Sequence, residues 1–244
     1  MPPSLKKPFL KSIIVFILLS FPPIVGSEET YFKLPGQPLG REEAIFAIER
    51  IRELQKDIKV ITAKVFQRKR TRFTKNDIVS EGTITLKKPN LLYWKVESPE
   101  RIIVVVDGKR FWLYHPELKE VQRHFLAQNM AARFSMDFFS SSIKVSLKEL
   151  EKKFKVAIYS PPGIYLLELK PRSKFTAKYL SKISIWYRKE DGVPVRFEVT
   201  GQKNNYTVTT FKKISINPKI EKGLFDFIVP EGVEIINEDE DEFE

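Results

Sequence analysis

The chain has 244 residues, 42% apolar and 30% charged, with a net charge of +11, so it can bury a core and favours acidic partners or anionic surfaces. It has no cysteine, which excludes disulfides, thiolate metal sites, a cysteine nucleophile and lipid attached to a cysteine of its own. Two histidines, His115 and His124, are too few for a histidine-rich metal site.

Lys6, Lys7 and Lys11 precede an apolar run over 12–21, which Pro22 and Pro23 end before the small residues around Gly26. The run is far shorter than the roughly 20 residues that span a bilayer, and its flanks are those of a signal sequence. Residues 1–27 are therefore expected to direct export to the periplasm and to be removed after Ser27. Export argues against nucleic acid as a partner. Residues 28–41 hold Pro35, Gly36, Pro38 and Gly40 and read as an unstructured leader.

From Glu42 the apolar period is helical. Ile45, Ile48, Ile51, Leu54 and Ile58 form a narrow stripe suited to lying against another element. From Lys59 the period becomes two, predicting strands at 60–67, 77–88, 91–96, 102–107, 110–115 and 120–126. Asp107-Gly108 marks a tight turn, and the short connections predict an antiparallel meander. Arg68-Lys69-Arg70-Thr71-Arg72 on the first hairpin reads as a solvated or lipid-facing loop.

Residues 127–151 interrupt the pattern with Met130, Phe134, Met136, Phe138 and Phe139. Ser146 and Glu149 have the spacing of a capping box and predict a short helix. Strands are expected again at 154–159, 164–170, 183–188, 193–201, 206–214 and 225–229. Glu190-Asp191-Gly192 is a turn in that series. The reading is one mainly β domain with some helix over 42–236, an incomplete antiparallel barrel of about 11–12 strands. Seven acids between Glu234 and Glu244 form an acidic tail, placed at 237–244.

No phosphate-binding, nucleophile-elbow or zinc-protease motif occurs, so neither an enzyme nor a cofactor is expected. The informative feature is an apolar load on alternating strand positions. Ile84 and Leu86, Leu92 and Trp94, and Ile102, Val104 and Val106 each point to one side of the sheet. If the sheet curls, that side is its concave interior. Alternation does not distinguish a filled interior from a hollow one. Lys88 ends the first row with a cation.

Lys87-Lys88-Pro89-Asn90-Leu91-Leu92-Tyr93-Trp94, Ser98-Pro99, Val106-Asp107-Gly108-Lys109, Trp112 and Tyr114-His115-Pro116 follow one another in an order that resembles the LolA family of periplasmic lipoprotein carriers. Leu167 to Pro171 and Phe225 to Val233 resemble two further pieces of that pattern. The resemblance implies an incomplete barrel closed by a helical lid over an apolar cavity for the acyl chains of a lipoprotein. It implies that Ile84, Leu86, Leu92, Trp94 and Val104 line the cavity, and that Met136, Phe138 and Phe139 belong to the lid. The latch position, Arg in the family, is Lys88 here, which donates hydrogen bonds but lacks the planar fork. The implied partners are an inner-membrane ABC transporter complex and an outer-membrane acceptor, with the chain acting as a monomer. A carrier of free lipid or glycolipid, or a lipid-sensing regulatory module on the same fold, stays open.

Overall fold

A computed structural model describes residues 36–71, 74, 76–125, 146–202 and 205–237. The expected signal sequence, most of the leader, the lid residues Met136, Phe138 and Phe139, and the tail beyond Asn237 lie outside the described residues.

Helix α1 (Arg41–Gln55) begins at Gly40, whose N–H donates to the Glu43 carboxylate 3.0 Å away. Glu42 and Glu43 in its first turn and Arg52 in its last complement the helix dipole. Six strands follow with short turns: β1 (Val60–Arg70), β2 (Ile78–Lys87), β3 (Leu91–Ser98), β4 (Ile102–Asp107), β5 (Arg110–His115) and β6 (Glu120–Phe125). Helix α2 (Leu147–Lys153) carries the predicted capping box, with the Ser146 hydroxyl accepting from the Glu149 N–H. Strands β7 (Phe154–Tyr159) and β8 (Ile164–Pro171) lead to the one-turn helix α3 (Lys174–Ala177). Then come β9 (Leu180–Arg188), β10 (Pro194–Gly201), β11 (Tyr206–Ile216) and β12 (Glu234–Asn237).

All twelve strands belong to one sheet in the order β12-β6-β5-β4-β3-β2-β1-β11-β10-β9-β8-β7. Every neighbouring pair is antiparallel except β12 on β6. The ends of the order, β12 and β7, are edges, so the sheet is open. Residues of β2–β4, of β7–β9 and of α1 nevertheless share one contiguous apolar core. A sheet whose distant strands reach the same core must curl around it, and α1 lies inside the curl.

Three expectations need correction. The buried face of α1 is Ala44, Ala47, Ile48, Ile51 and Gln55, while Ile45 is 38% exposed. The two alanines are the reason: without bulk they let the helix approach the neighbouring elements closely. Residues 225–229 do not form a strand. Phe227 instead packs its ring across Trp112 and Tyr114 on the outer face, at 5.3 and 5.8 Å, and the last strand is β12, beyond Pro230. Nor is the basic run a loop at 68–70, since β1 continues through it and alternation sends its cations to opposite faces.

Candidate functional site

Strand pairing fixes which side chains share the inner face. Ile84 opposes Trp94 and Leu86 opposes Leu92 across β2–β3, while Trp94 opposes Val104 and Leu92 opposes Val106 across β3–β4. On the other side of β2, Ile84 opposes Ala63 and Leu86 opposes Ile61. The five expected lining residues, Ile84, Leu86, Leu92, Trp94 and Val104, thus form one continuous apolar patch, each 0–7% exposed. A small recess of about 10 Å³, room for about one water, lies against this patch between Ile61, Ala63, Ile84, Leu86 and Phe211.

The patch has one polar atom out of place. Among the described residues, Trp94 Nε1 is buried with no acceptor. A buried unpaired donor costs about 1–3 kcal/mol, and most buried polar groups are paired. An indole N–H left open in an apolar wall can be satisfied by a guest carrying an acceptor.

Polar contacts hold one end of the trough. Lys88 Nζ donates to the Gln55 carbonyl 2.7 Å away, in the last turn of α1, where a cation also complements the helix dipole. The Gln55 side chain donates to the Gly192 carbonyl in the turn between β9 and β10. That turn needs its glycine twice over. Gly192 has φ +70°, and a Cβ there would lie 3.0 Å from Leu54 and 3.1 Å from the Ile51 carbonyl. Lys88, Gln55 and Gly192 therefore tie α1 to both arms of the sheet. Gln55 carried no sequence signal, because a glutamine ending a helix reads as solvated. The expected contact of Lys88 with lid residues lies outside the described residues.

The turn that bears the Asp-Gly pair is equally well anchored. Asp107 accepts from the Lys109 and Arg110 N–H groups at 2.8 and 2.7 Å and from Trp112 Nε1 at 3.1 Å. Burial works against the carboxylate, but these donors prevail and hold Asp107 below the usual aspartate range. Asn90 Nδ2 reaches across to the Gly108 carbonyl at 3.0 Å. The Pro-Asn and Asp-Gly pieces of the sequence pattern are thus two halves of one brace at the ends of β3 and β4.

A family model described as outer membrane lipoprotein carrier protein LolA matches residues 56–228. The chain belongs to the LolA family. Curated relatives named outer-membrane lipoprotein carrier protein include one of Azotobacter vinelandii, 27% identical over 159 residues, covering 65% of this chain and 72% of the relative. Another, of Hahella chejuensis, is 25% identical over 198 residues, covering 78% and 88%. Among solved structures, an uncharacterized conserved protein from Thermus thermophilus superposes with a TM-score of 0.51 at 10% identity, over 80% of this chain and 99% of that one. This last likeness speaks for the fold alone. The LolA-like open sheet and the family's lipoprotein-carrier description agree with the reading of the motifs.

Proposed function

We propose that this LolA-family chain is a periplasmic carrier that hides lipoprotein acyl chains against the patch of Ile84, Leu86, Leu92, Trp94 and Val104. In this reading it takes its cargo from an inner-membrane ABC transporter complex and yields it to an outer-membrane acceptor. The observation that carries it is a continuous apolar wall in which Trp94 Nε1 has no acceptor among the described residues. Acyl esters match that wall, offering long hydrocarbon with a carbonyl acceptor at one end.

The energetics favour exchange over filling. Hydrocarbon gains roughly 0.8 kcal/mol per buried CH₂, so exposing one acyl chain of ordinary length costs on the order of 10 kcal/mol. The patch itself is covered in this structure, and a recess of about 10 Å³ holds no acyl chain. Loading then means that the guest displaces whatever covers the wall, and apolar area stays buried before and after. The resemblance assigns the cover to residues 127–139. Release needs no reaction, only an acceptor that binds the cargo more tightly.

The test is to express the chain in an envelope-containing bacterium, purify it without detergent and identify bound acyl species by mass spectrometry. Acylated lipoprotein is expected with the wild type and none with Leu92→Glu. Trp94→Phe keeps the wall apolar and separates lost folding from lost grip: its thermal transition should stay near wild type while cargo falls several-fold. Wild-type chain free of acyl material, or normal cargo on Leu92→Glu, would refute the proposal. Free lipid in place of lipoprotein would favour the lipid-carrier alternative.

A further inference from the structure

Along the trough, polarity changes in one direction. On the inner face β1 presents Ile61, Ala63, Val65, Gln67 and Lys69 in succession, and β11 runs beside it from Phe211 through Thr209 to Thr207. Gln67 Nε2 donates to the Thr209 hydroxyl at 3.1 Å. Lys69 lies opposite Ile78 on β2 and Thr207 on β11, and is 8% exposed. Among the described residues it makes no hydrogen bond or ion pair, and the inner-face positions around it (Gln67, Ile78, Ser80, Val199, Thr207, Thr209) hold no carboxylate. Its neighbours Arg68 and Arg70 on the outer face are both paired with Asp77. Among the described residues Lys69 is thus a buried cation without a compensating partner.

We infer that the Lys69 end of the trough is a binding site for the anionic head of an amphiphile whose hydrocarbon lies along the apolar wall. The inference rests on the acyl-binding reading and adds a second class of guest, a chain ending in phosphate or carboxylate. The dimensions agree. Ile78, beside Lys69, is six residues along β2 from Ile84 at the apolar centre, about 20 Å at 3.3–3.4 Å per residue, the scale of an extended acyl chain. The chemistry agrees as well. An ammonium flanked by the Thr207 hydroxyl offers donors to an oxyanion, and charge-assisted hydrogen bonds are the strong ones. A buried charge without a partner is a standing cost that a bound anion relieves. Burial alone lowers the Lys69 pKa to about 8, so the group is still mainly charged at neutral pH.

Dodecyl phosphate and dodecanol carry the same chain and differ in the head. Displacement of the neutral dye N-phenyl-1-naphthylamine measures both below their aggregation concentrations. The wild type should bind the phosphate about tenfold more tightly, as one charge-assisted contact implies. Lys69→Met should erase the preference without changing the affinity for dodecanol, and Lys69→Arg should restore it. A preference that survives in Lys69→Met, or is absent from the wild type while both compounds bind, overturns this inference and leaves the acyl reading standing. If neither compound binds, both fall. Inorganic phosphate that abolishes the preference at micromolar concentration would point to a free-anion site and overturn the headgroup assignment.

Discussion

On the outer face, Asp77 receives Arg68, Arg70 and the Tyr206 hydroxyl, and Glu168 receives Lys182 at 2.8 Å and the Ser184 hydroxyl at 3.4 Å. On the inner face Lys69, one residue from each of those arginines, has no such partner among the described residues, and Trp94 Nε1 has no acceptor. The same strands carry both faces, so neither register nor propensity explains the contrast. The carboxylates outside, Asp77 and Glu168, are paired with neighbouring cations and hydroxyls and fix a hairpin and neighbouring strands. Inside, Gln67 and Thr209 pair with each other, whereas Lys69 and Trp94 Nε1 have no partner among the described residues, a cost in stability that the proposed carrier role accounts for.

The contrast can be broken most forcefully on β3. Leu92→Glu places an unpaired carboxylate in the inner wall and should cost about 4 kcal/mol in chemical denaturation. Lys95→Glu, on the outer face of the same strand with its side chain 42% exposed, should cost under about 1 kcal/mol. Similar losses for the two would mean that the faces do not differ as described. A subtler probe is pH. Unfolded lysine titrates near 10.5 and Lys69 near 8 in the fold. Between those values the unfolded chain binds more protons, so stability should rise as pH increases through that window. With solvent screening at the rim the gain from Lys69 should be about 2 kcal/mol. In Lys69→Met this part of the rise should vanish, and the variant should be the more stable chain at pH 7 by thermal unfolding.

Smaller effects sharpen the outer half of the comparison. Asp77→Asn keeps an acceptor for Tyr206 but removes the charge shared by two arginines, and a loss of about 1 kcal/mol is expected from its urea midpoint. Arg41→Ala breaks the ion pair with Glu151, whose arginine side is 69% exposed, and should change stability by less than about 0.5 kcal/mol.

How much of this was legible in the sequence follows from the range of the forces involved. Alternation is local, so the rows through Ile84, Trp94 and Val104 could be read directly, and pairing then put them side by side. The capping box at Ser146 is local too. The basic run misled because an almost unbroken string of cations from Arg68 to Arg72 looks solvated, whereas a strand sends every second one inward, and only the fold shows which. Residues 225–229 alternate like a strand but use the Phe227 ring on Trp112 and Tyr114, an attraction between side chains distant in sequence. Strand β12 is four residues long at the start of an acidic stretch, too short and too charged to signal itself. The partnership of Lys88, Gln55 and Gly192 joins three separated turns of chain, and no window along the sequence contains it.

The sheet's two free margins carry a last consequence. In a closed barrel, strand number and stagger dictate the bore. Here, among the described residues, β12 and β7 terminate the ladder separately, so no ring closure constrains how far apart the two arms lie. Girth is then not dictated by strand count, which under the proposed carrier role leaves one scaffold able to serve passengers of differing bulk, from a lone tail to a bundle of them.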